Sequence, residues 1–303
     1  MGTPEFAVPC LERLIKDGHT ILAAFTQPDK PKGRGHSFAA PPVKLKAAEN
    51  NICVYQPTTL KDGEAYNILS KLSPEIIIVA AYGKILPQQI ISLPKYGCVC
   101  IHASLLPKYR GAAPIQWAII NGEKVTGVTS IQMDAGIDTG DMLLSEQTEI
   151  GKNENSGELL ARLSMIGAEV MSKTIIGLQA GTITPVKQDE SASNYAPMLT
   201  KTLCPVNWNE PAIKIHNRIR GLSPFLISTA ILGGKLIRIH AAQPVEGRNG
   251  NPGEVIENKD MLVVACGDGN AVEIITVQAE GKRAMSAKEF MRGNNIDIGS
   301  VFE

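Results

Sequence analysis

The sequence predicts an α/β chain: a mostly parallel sheet domain followed by a smaller C-terminal β-barrel domain. Three observations carry this. Across the N-terminal half, short β-rich runs alternate with helical patterns, which implies crossover connections and a parallel sheet. The run Ile76-Ile77-Ile78-Val79-Ala80-Ala81 is apolar at every position, as a strand covered on both faces must be. Towards the C-terminus, β-runs are separated by turns at Gly233-Gly234, Asn249-Gly250, Asn251-Pro252-Gly253 and Gly267-Asp268-Gly269, the punctuation of a small barrel.

The elements follow in order. Met1-Gly2-Thr3-Pro4-Glu5-Phe6 reads as a strand-to-helix turn, with Thr3 as N-cap and Pro4 at the first helical position. A strand is expected ahead of such a turn, so the start is expected to lie a few residues late; otherwise two sheet edges stay unpaired. Strands are predicted at Thr20–Thr26, Ile52–Tyr55, Glu75–Tyr82, Cys98–His102 and Val128–Met133. Helices are predicted at Val8–Asp17, Pro42–Glu49, Gly63–Leu72, Gln88–Leu93 and Ala113–Asn121, with a long one at Asn155–Gly181. Residues 1–181 form the first domain in this reading. Residues 182–205, rich in Ser, Thr, Pro and Asn, form a linker. Residues 206–303 form the barrel domain, entered through a helix at Glu210–Arg220.

Composition narrows the function. The chain has 303 residues, 44% hydrophobic, enough for a large core and a smaller domain. Lys+Arg and Asp+Glu stand at 30 each, so bulk charge gives no support for a nucleic-acid partner, and any such surface must come from local clustering. The six cysteines form no CxxC pair and sit mostly in apolar runs, which predicts reduced thiols in a cytoplasmic protein. No clustered Cys/His set suits zinc, so no metal is expected. No run is long and apolar enough for a signal peptide or a membrane span.

Candidate chemistry concentrates in two places. The strand Cys98–His102 ends on a histidine and breaks into Ser104-Leu105-Leu106-Pro107, then Arg110-Gly111-Ala112-Ala113-Pro114. Further on comes the acidic, glycine-rich loop Met133-Asp134-Ala135-Gly136-Ile137-Asp138-Thr139-Gly140-Asp141. A histidine at a strand end and a carboxylate on a loop are parts of a general acid/base site. In α/β sheets such groups gather at the carboxyl ends of strands, where Tyr82-Gly83 also falls. Asp134 and Asp141 read as turn and loop carboxylates.

These segments, with Gly2-Thr3-Pro4-Glu5-Phe6-Ala7, Thr26–Gly35, Ala81–Pro87, Gly281–Ser286 and Glu289–Gly293, resemble the methionyl-tRNA formyltransferases over essentially the whole chain. The resemblance implies a Rossmann-like catalytic domain and a tRNA-binding barrel. It implies formyl transfer from 10-formyltetrahydrofolate to the α-amino group of methionyl initiator tRNA. A monomer is expected. It implies a catalytic Asn–His–Asp trio. His102 and Asp138 match two of the three; the asparagine position holds Cys100. A thiol is a weak donor, so slow or absent catalysis is expected there. Folate walls are implied at Tyr82, Gly83, Lys84, Ile85, Leu86 and Pro87, at Ser104, Leu105, Leu106 and Pro107, and at Ala135, Gly136, Ile137 and Asp138. Contacts to tRNA are implied for Lys30, Lys32 and Arg34, and for Lys282 and Arg283, with Lys288 and Arg292 on the same domain. Phe225 is expected in the core. Two other readings remain: a formyltransferase of amino-sugar nucleotides, and a non-catalytic folate- or tRNA-binding paralogue, the latter motivated by Cys100.

Overall fold

A computed structural model describes residues 1–32 and 37–303, in two compact units. The first comprises Met1–Pro114, Thr126–Thr148 and Leu160–Ala196; the second comprises Ile115–Val125, Glu149–Leu159 and Pro197–Glu303.

The first unit is parallel-rich and Rossmann-like. Its strands are β1 (Ala24–Phe25), β2 (Lys30–Lys32), β3 (Ser37–Ala39), β4 (Val54–Tyr55), β5 (Ile77–Val79), β6 (Cys98–His102), β7 (Arg110–Gly111), β8 (Val125–Gln132), β9 (Asp141–Glu149) and β10 (Tyr195–Ala196). Pairs β1–β4 and β5–β6 are parallel, and a four-stranded sheet runs β5-β6-β8-β9. The register Cys100↔Val79 and Cys100↔Ile131 places Cys100 mid-sheet, with His102 one pleat further along. Strand β8 runs antiparallel to β6, where alternation alone suggested a parallel neighbour; such antiparallel additions to parallel sheets are common. Strand β9 was not predicted. Its sequence is polar and its burial alternates, as at a one-sided sheet edge, so it lacks the apolar run that marks β5.

Helices α1 (Val8–Lys16), α2 (Pro42–Glu49), α3 (Glu64–Leu72) and α4 (Gln88–Ile91) fall where apolar periodicity placed them. They are followed by α5 (Pro114–Ile120) and α6 (Ser156–Ala180). Apolar side chains of α3, α4, β5 and β6 make one core with Phe25, Leu60, Tyr82 and Leu86. Thr3 is not an N-cap. A short 3-10 turn at Glu5–Ala7 precedes α1, and the Thr3 hydroxyl instead donates to Tyr82 O (3.1 Å) and accepts from Gln27 N (3.2 Å). Met1 and Gly2 lie between β1 and β5: Gly2 N donates to Phe25 O (3.0 Å), and Ala80 N donates to Met1 O (2.9 Å). Beside them is a cavity of about 440 Å³ lined by Leu14, Ala24, Leu72, Ile78 and Leu178. Residues 20–23 line it too and do not extend β1, which is shorter than its apolar run suggests.

The second unit contains α7 (Ala212–Leu222) and an antiparallel sheet of six strands, curled as a half-barrel. These are β11 (Ser228–Leu232), β12 (Lys235–Val245), β13 (Val255–Glu257), β14 (Leu262–Ala265), β15 (Ala271–Ala279) and β16 (Met285–Ser286). They run β11-β12-β15-β14-β13, with β16 paired to β15. Helix α8 (Ala287–Gly293) starts with a capping box, Ser286 and Glu289 each bonding the other's backbone N–H. Ile215, Ile219, Ile239, Val264, Val272 and Phe290 fill its core. Phe225 is not in it: the residue sits in the turn after α7 and is 52% exposed.

Candidate active site

Strand β6 delivers His102 to the sheet's end, nearly covered at 6% exposure. The chain then turns tightly. Ser104 Oγ donates to Lys108 O (2.6 Å), and Thr129 Oγ1 donates to Ser104 O (2.7 Å) while accepting from Leu106 N (3.2 Å). This turn brings the Tyr109 carbonyl back to the imidazole, 2.9 Å from His102 Nε2. A carbonyl only accepts, so Nε2 carries the proton and donates. Tyr109 holds φ +60, where a residue with a side chain is disfavoured by roughly 1–2 kcal/mol.

The second catalytic candidate comes from the loop between β8 and β9. Asp134 Oδ1 accepts from Gly136 N (3.0 Å) and from Thr139 Oγ1 (2.7 Å), the turn role expected of it. The loop then presents Asp138, at φ +55, towards β6. Asp138 Oδ2 accepts from Gly111 N (2.9 Å) and stands 3.5 Å from His102 Nδ1. That separation is beyond a good hydrogen bond, so Nδ1 is the histidine nitrogen left to exchange a proton.

Cys100 lies on the same face of β6 as His102 and is half-buried. Burial, and then the Asp138 carboxylate, push its thiol well above the ordinary range. It is therefore a protonated thiol near neutral pH, not a thiolate nucleophile.

Residues 1–175 match a family described as formyl transferase, and residues 198–295 match its C-terminal domain. The chain belongs to the formyl transferase family. Methionyl-tRNA formyltransferase of Caldanaerobacter subterraneus subsp. tengcongensis is 48% identical over 305 residues, spanning 100% of this chain and 98% of that protein. Its counterpart from Alkaliphilus oremlandii is 48% identical over 303 residues, 99% of this chain and 97% of the relative. Among solved structures, the sugar 3N-formyl transferase WlaRD, crystallised with dTDP and 5-N-formyl-THF, aligns at TM-score 0.69 and 21% identity, covering 93% of this chain and 97% of that one. The N-formyltransferase of Helicobacter canadensis, in complex with folinic acid and dTDP-3-aminofucose, aligns at TM-score 0.68 and 20% identity, covering 92% and 97%. At those identities the two structures speak to the fold alone.

The remaining predicted positions in this formyl transferase divide into two sets. In the loop after β5, Tyr82 and Leu86 turn their side chains into the core, leaving only their backbone for a ligand. Lys84 Nζ donates to the carbonyls of Pro57 (2.7 Å) and Thr58, whereas Ile85 is 70% exposed. Ile137, on the Asp138 loop, is 51% exposed. Leu105 and Pro107 are half-buried and Leu106 is buried. Among the basic candidates, Lys30 is exposed on β2, which pairs antiparallel with β3. Arg34 lies outside the described residues. Lys282 and Arg283 are exposed in the turn joining β15 to β16, and Lys288 and Arg292 are exposed on α8. Among the described residues, no group of three or more His, Cys, Asp or Glu side chains could hold a metal ion.

Sequence reasoning missed the groups that hold Asp138 and Tyr109 from behind. Gln188 Nε2 donates to Asp138 O and Gly140 O, both at 2.8 Å. Arg110, 8% exposed, donates through Nε to Gln188 Oε1 (2.9 Å) and forks onto Glu190 with two bonds of 2.9 Å. Asn194 Oδ1 accepts from Tyr109 N. The segment 188–194 looks like a linker by composition, and nothing local in it signals partners 48 to 85 residues away.

Proposed function

We propose that this chain transfers the formyl group of 10-formyltetrahydrofolate to the α-amino group of methionine esterified to initiator tRNA. The reading rests on one observation above others: His102 and Asp138 stand 3.5 Å apart in a chain 48% identical, end to end, to methionyl-tRNA formyltransferases. Its natural setting is the cytoplasm, with the enzyme acting as a monomer.

A reduced pterin needs a flat slot with apolar faces and a few backbone partners. Exposed Ile85 and Ile137, each flanked by open loop backbone, fit that need. Bound there, 10-formyltetrahydrofolate would supply the formyl carbon to be attacked. His102, with Nε2–H held by Tyr109 O, offers Nδ1 to take the proton lost by the attacking amine; the Nδ1–H so formed can steady the charged oxygen of the adduct and pass the proton to the folate nitrogen as its bond to the formyl carbon breaks, releasing tetrahydrofolate. Asp138 stabilises the imidazolium so formed and is itself kept in place by Gly111 N. Cys100 occupies the position of a second oxyanion donor and contributes only a weak one. Lys30, Lys32 and Arg34 of the first unit, and Lys282 and Arg283 of the second, are the proposed phosphate contacts.

The test is a three-way assay with purified protein and 10-formyltetrahydrofolate. Formyl transfer to charged initiator tRNA supports the reading. Transfer to an amino-sugar nucleotide instead would replace the acceptor. Binding of folate or tRNA without product would make the chain a non-catalytic paralogue.

A further inference from the structure

One short segment reaches Asp138 directly and His102 through Tyr109. Gln188 reaches the Asp138 loop by two hydrogen bonds to main-chain oxygens on either side of Thr139. Six residues on, the Asn194 side chain takes the Tyr109 N–H, and Asn194 O takes the Arg110 N–H (3.0 Å). Tyr109 is thereby held in its left-handed conformation at the peptide on one side, while the carbonyl on the other receives His102 Nε2–H. Arg110 ties the two contacts together, bonding Gln188 Oε1 and forking onto Glu190 between them.

We propose that Gln188 and Asn194 are the positioning residues of this site. Asn194, through Tyr109, fixes which nitrogen of His102 bears the proton; Gln188 fixes where the Asp138 carboxylate stands. Neither touches the reacting atoms. If the Asn194 side chain is replaced, the Tyr109 N–H loses its acceptor while Asn194 O still holds the Arg110 N–H; the Tyr109 residue is then held on one side instead of two, and its carbonyl can draw away from Nε2. The ring can then place its proton on Nδ1, beside Asp138, in the neutral form. That tautomer cannot accept the amine's proton at Nδ1. If Gln188 is removed, Asp138 retains Gly111 N but loses the anchor of its own peptide. Displacement of a catalytic group by about 1 Å costs on the order of 10²-fold in rate.

The proposal rests on the formyl-transfer reading for its kinetic arm only. The decisive measurement is the ¹⁵N spectrum of histidine-labelled full-length protein, with His102 assigned by its loss in His102→Gln. Wild type should show His102 protonated at Nε2. Asn194→Leu, which removes the acceptor at similar size, should shift it to a mixture or to Nδ1–H; Asn194→Asp, which keeps an acceptor, should restore the wild-type pattern. Asn194→Ala replaces the leucine variant if that one does not fold. In transfer assays, Asn194→Leu and Gln188→Glu should each lower kcat about 10²-fold with KM for the tRNA unchanged. An unaltered His102 spectrum in both Asn194→Leu and Asn194→Ala overturns the assignment of Asn194. Wild-type kcat in Gln188→Glu overturns that of Gln188. Should wild type transfer no formyl group at all, the functional reading fails, Asn194 is still decided by the spectrum, and Gln188 is decided by whether Gln188→Glu leaves the Asp138 ¹³C carboxyl resonance unmoved.

Discussion

Replacing Cys100 by asparagine is expected to make this chain a faster formyl transferase. The two residues of β6 that face the site, Cys100 and His102, are one pleat repeat apart, about 6.6 Å at ~3.3 Å per residue. A formyl oxygen between them could meet a donor from residue 100 at once, and one from His102 only after Nδ1 has taken the amine's proton. As the chain stands, Cys100 offers an S–H that burial and Asp138 keep protonated. An S–H···O contact is worth about 0.5–1 kcal/mol. An amide N–H to a charged oxygen is worth about 1.5–3 kcal/mol. The difference of about 0.5–2.5 kcal/mol, at tenfold per ~1.4 kcal/mol, predicts a gain of about 2- to 60-fold, its upper end approaching the roughly 10²–10³ lost when such a donor is removed. Because the bond strengthens as charge develops, the gain belongs in kcat and leaves KM nearly untouched. Single-turnover transfer to charged initiator tRNA measures it, with Cys100→Ala as baseline, expected within about fivefold of the parent on the strength of a weak thiol bond. Thermal unfolding confirms that the larger side chain is accommodated mid-sheet. The reasoning is refuted if a folded, folate-binding Cys100→Asn is no faster than the parent, or if Cys100→Ala is as slow as a His102→Ala control.

Three further outcomes follow from the structure. At pH 7.5, iodoacetamide should modify exposed Cys53 first, whereas Cys10, Cys98 and Cys266, each pushed up to about 12 by burial, and Cys100 should lag; peptide mass spectrometry reads the order. Gly127→Ala puts a Cβ 2.2 Å from the Glu146 carbonyl oxygen across β8 and β9, so it should lower stability by about 1–3 kcal/mol in urea titration, with wild-type stability counting against that strand contact. The Arg110 fork holds the Glu190 carboxyl below its ordinary range, so its contribution is complete above about pH 4.5 and fades as pH falls through the lower folded value; Glu190→Gln should flatten that part of the stability profile.

The sequence carried most of the fold because the first unit's elements obey local rules. Unbroken apolar strands such as β5 and amphipathic helices such as α1 announce themselves by period. Strand β9 did not, since an edge strand needs only one apolar face and its residues read as a polar loop. Thr3 misled for a different reason. Its residue type and the following proline fit a cap, but its hydroxyl is taken by Tyr82 and Gln27, partners supplied by the tertiary fold. Phe225 misled because an aromatic after Ser-Pro has no local mark of exposure.

The site divides along the same line. His102 and Asp138 were legible because each chemical group sits in a short motif whose residues need one another: a strand end, a turn, a glycine-rich loop. What sets their chemistry was not. The nitrogen that His102 exposes depends on a carbonyl seven residues away, and that carbonyl's direction depends on an asparagine 85 residues from the tyrosine it holds. A backbone acceptor leaves no trace in residue type, since every residue has one. Gln188, Glu190 and Asn194 are polar residues in a polar segment, indistinguishable by composition from solvated neighbours such as Ser191 and Ser193. Reactive groups are thus readable in one sequence where their own chemistry is unusual. The groups that aim them are ordinary amides and peptides, and only their distances single them out.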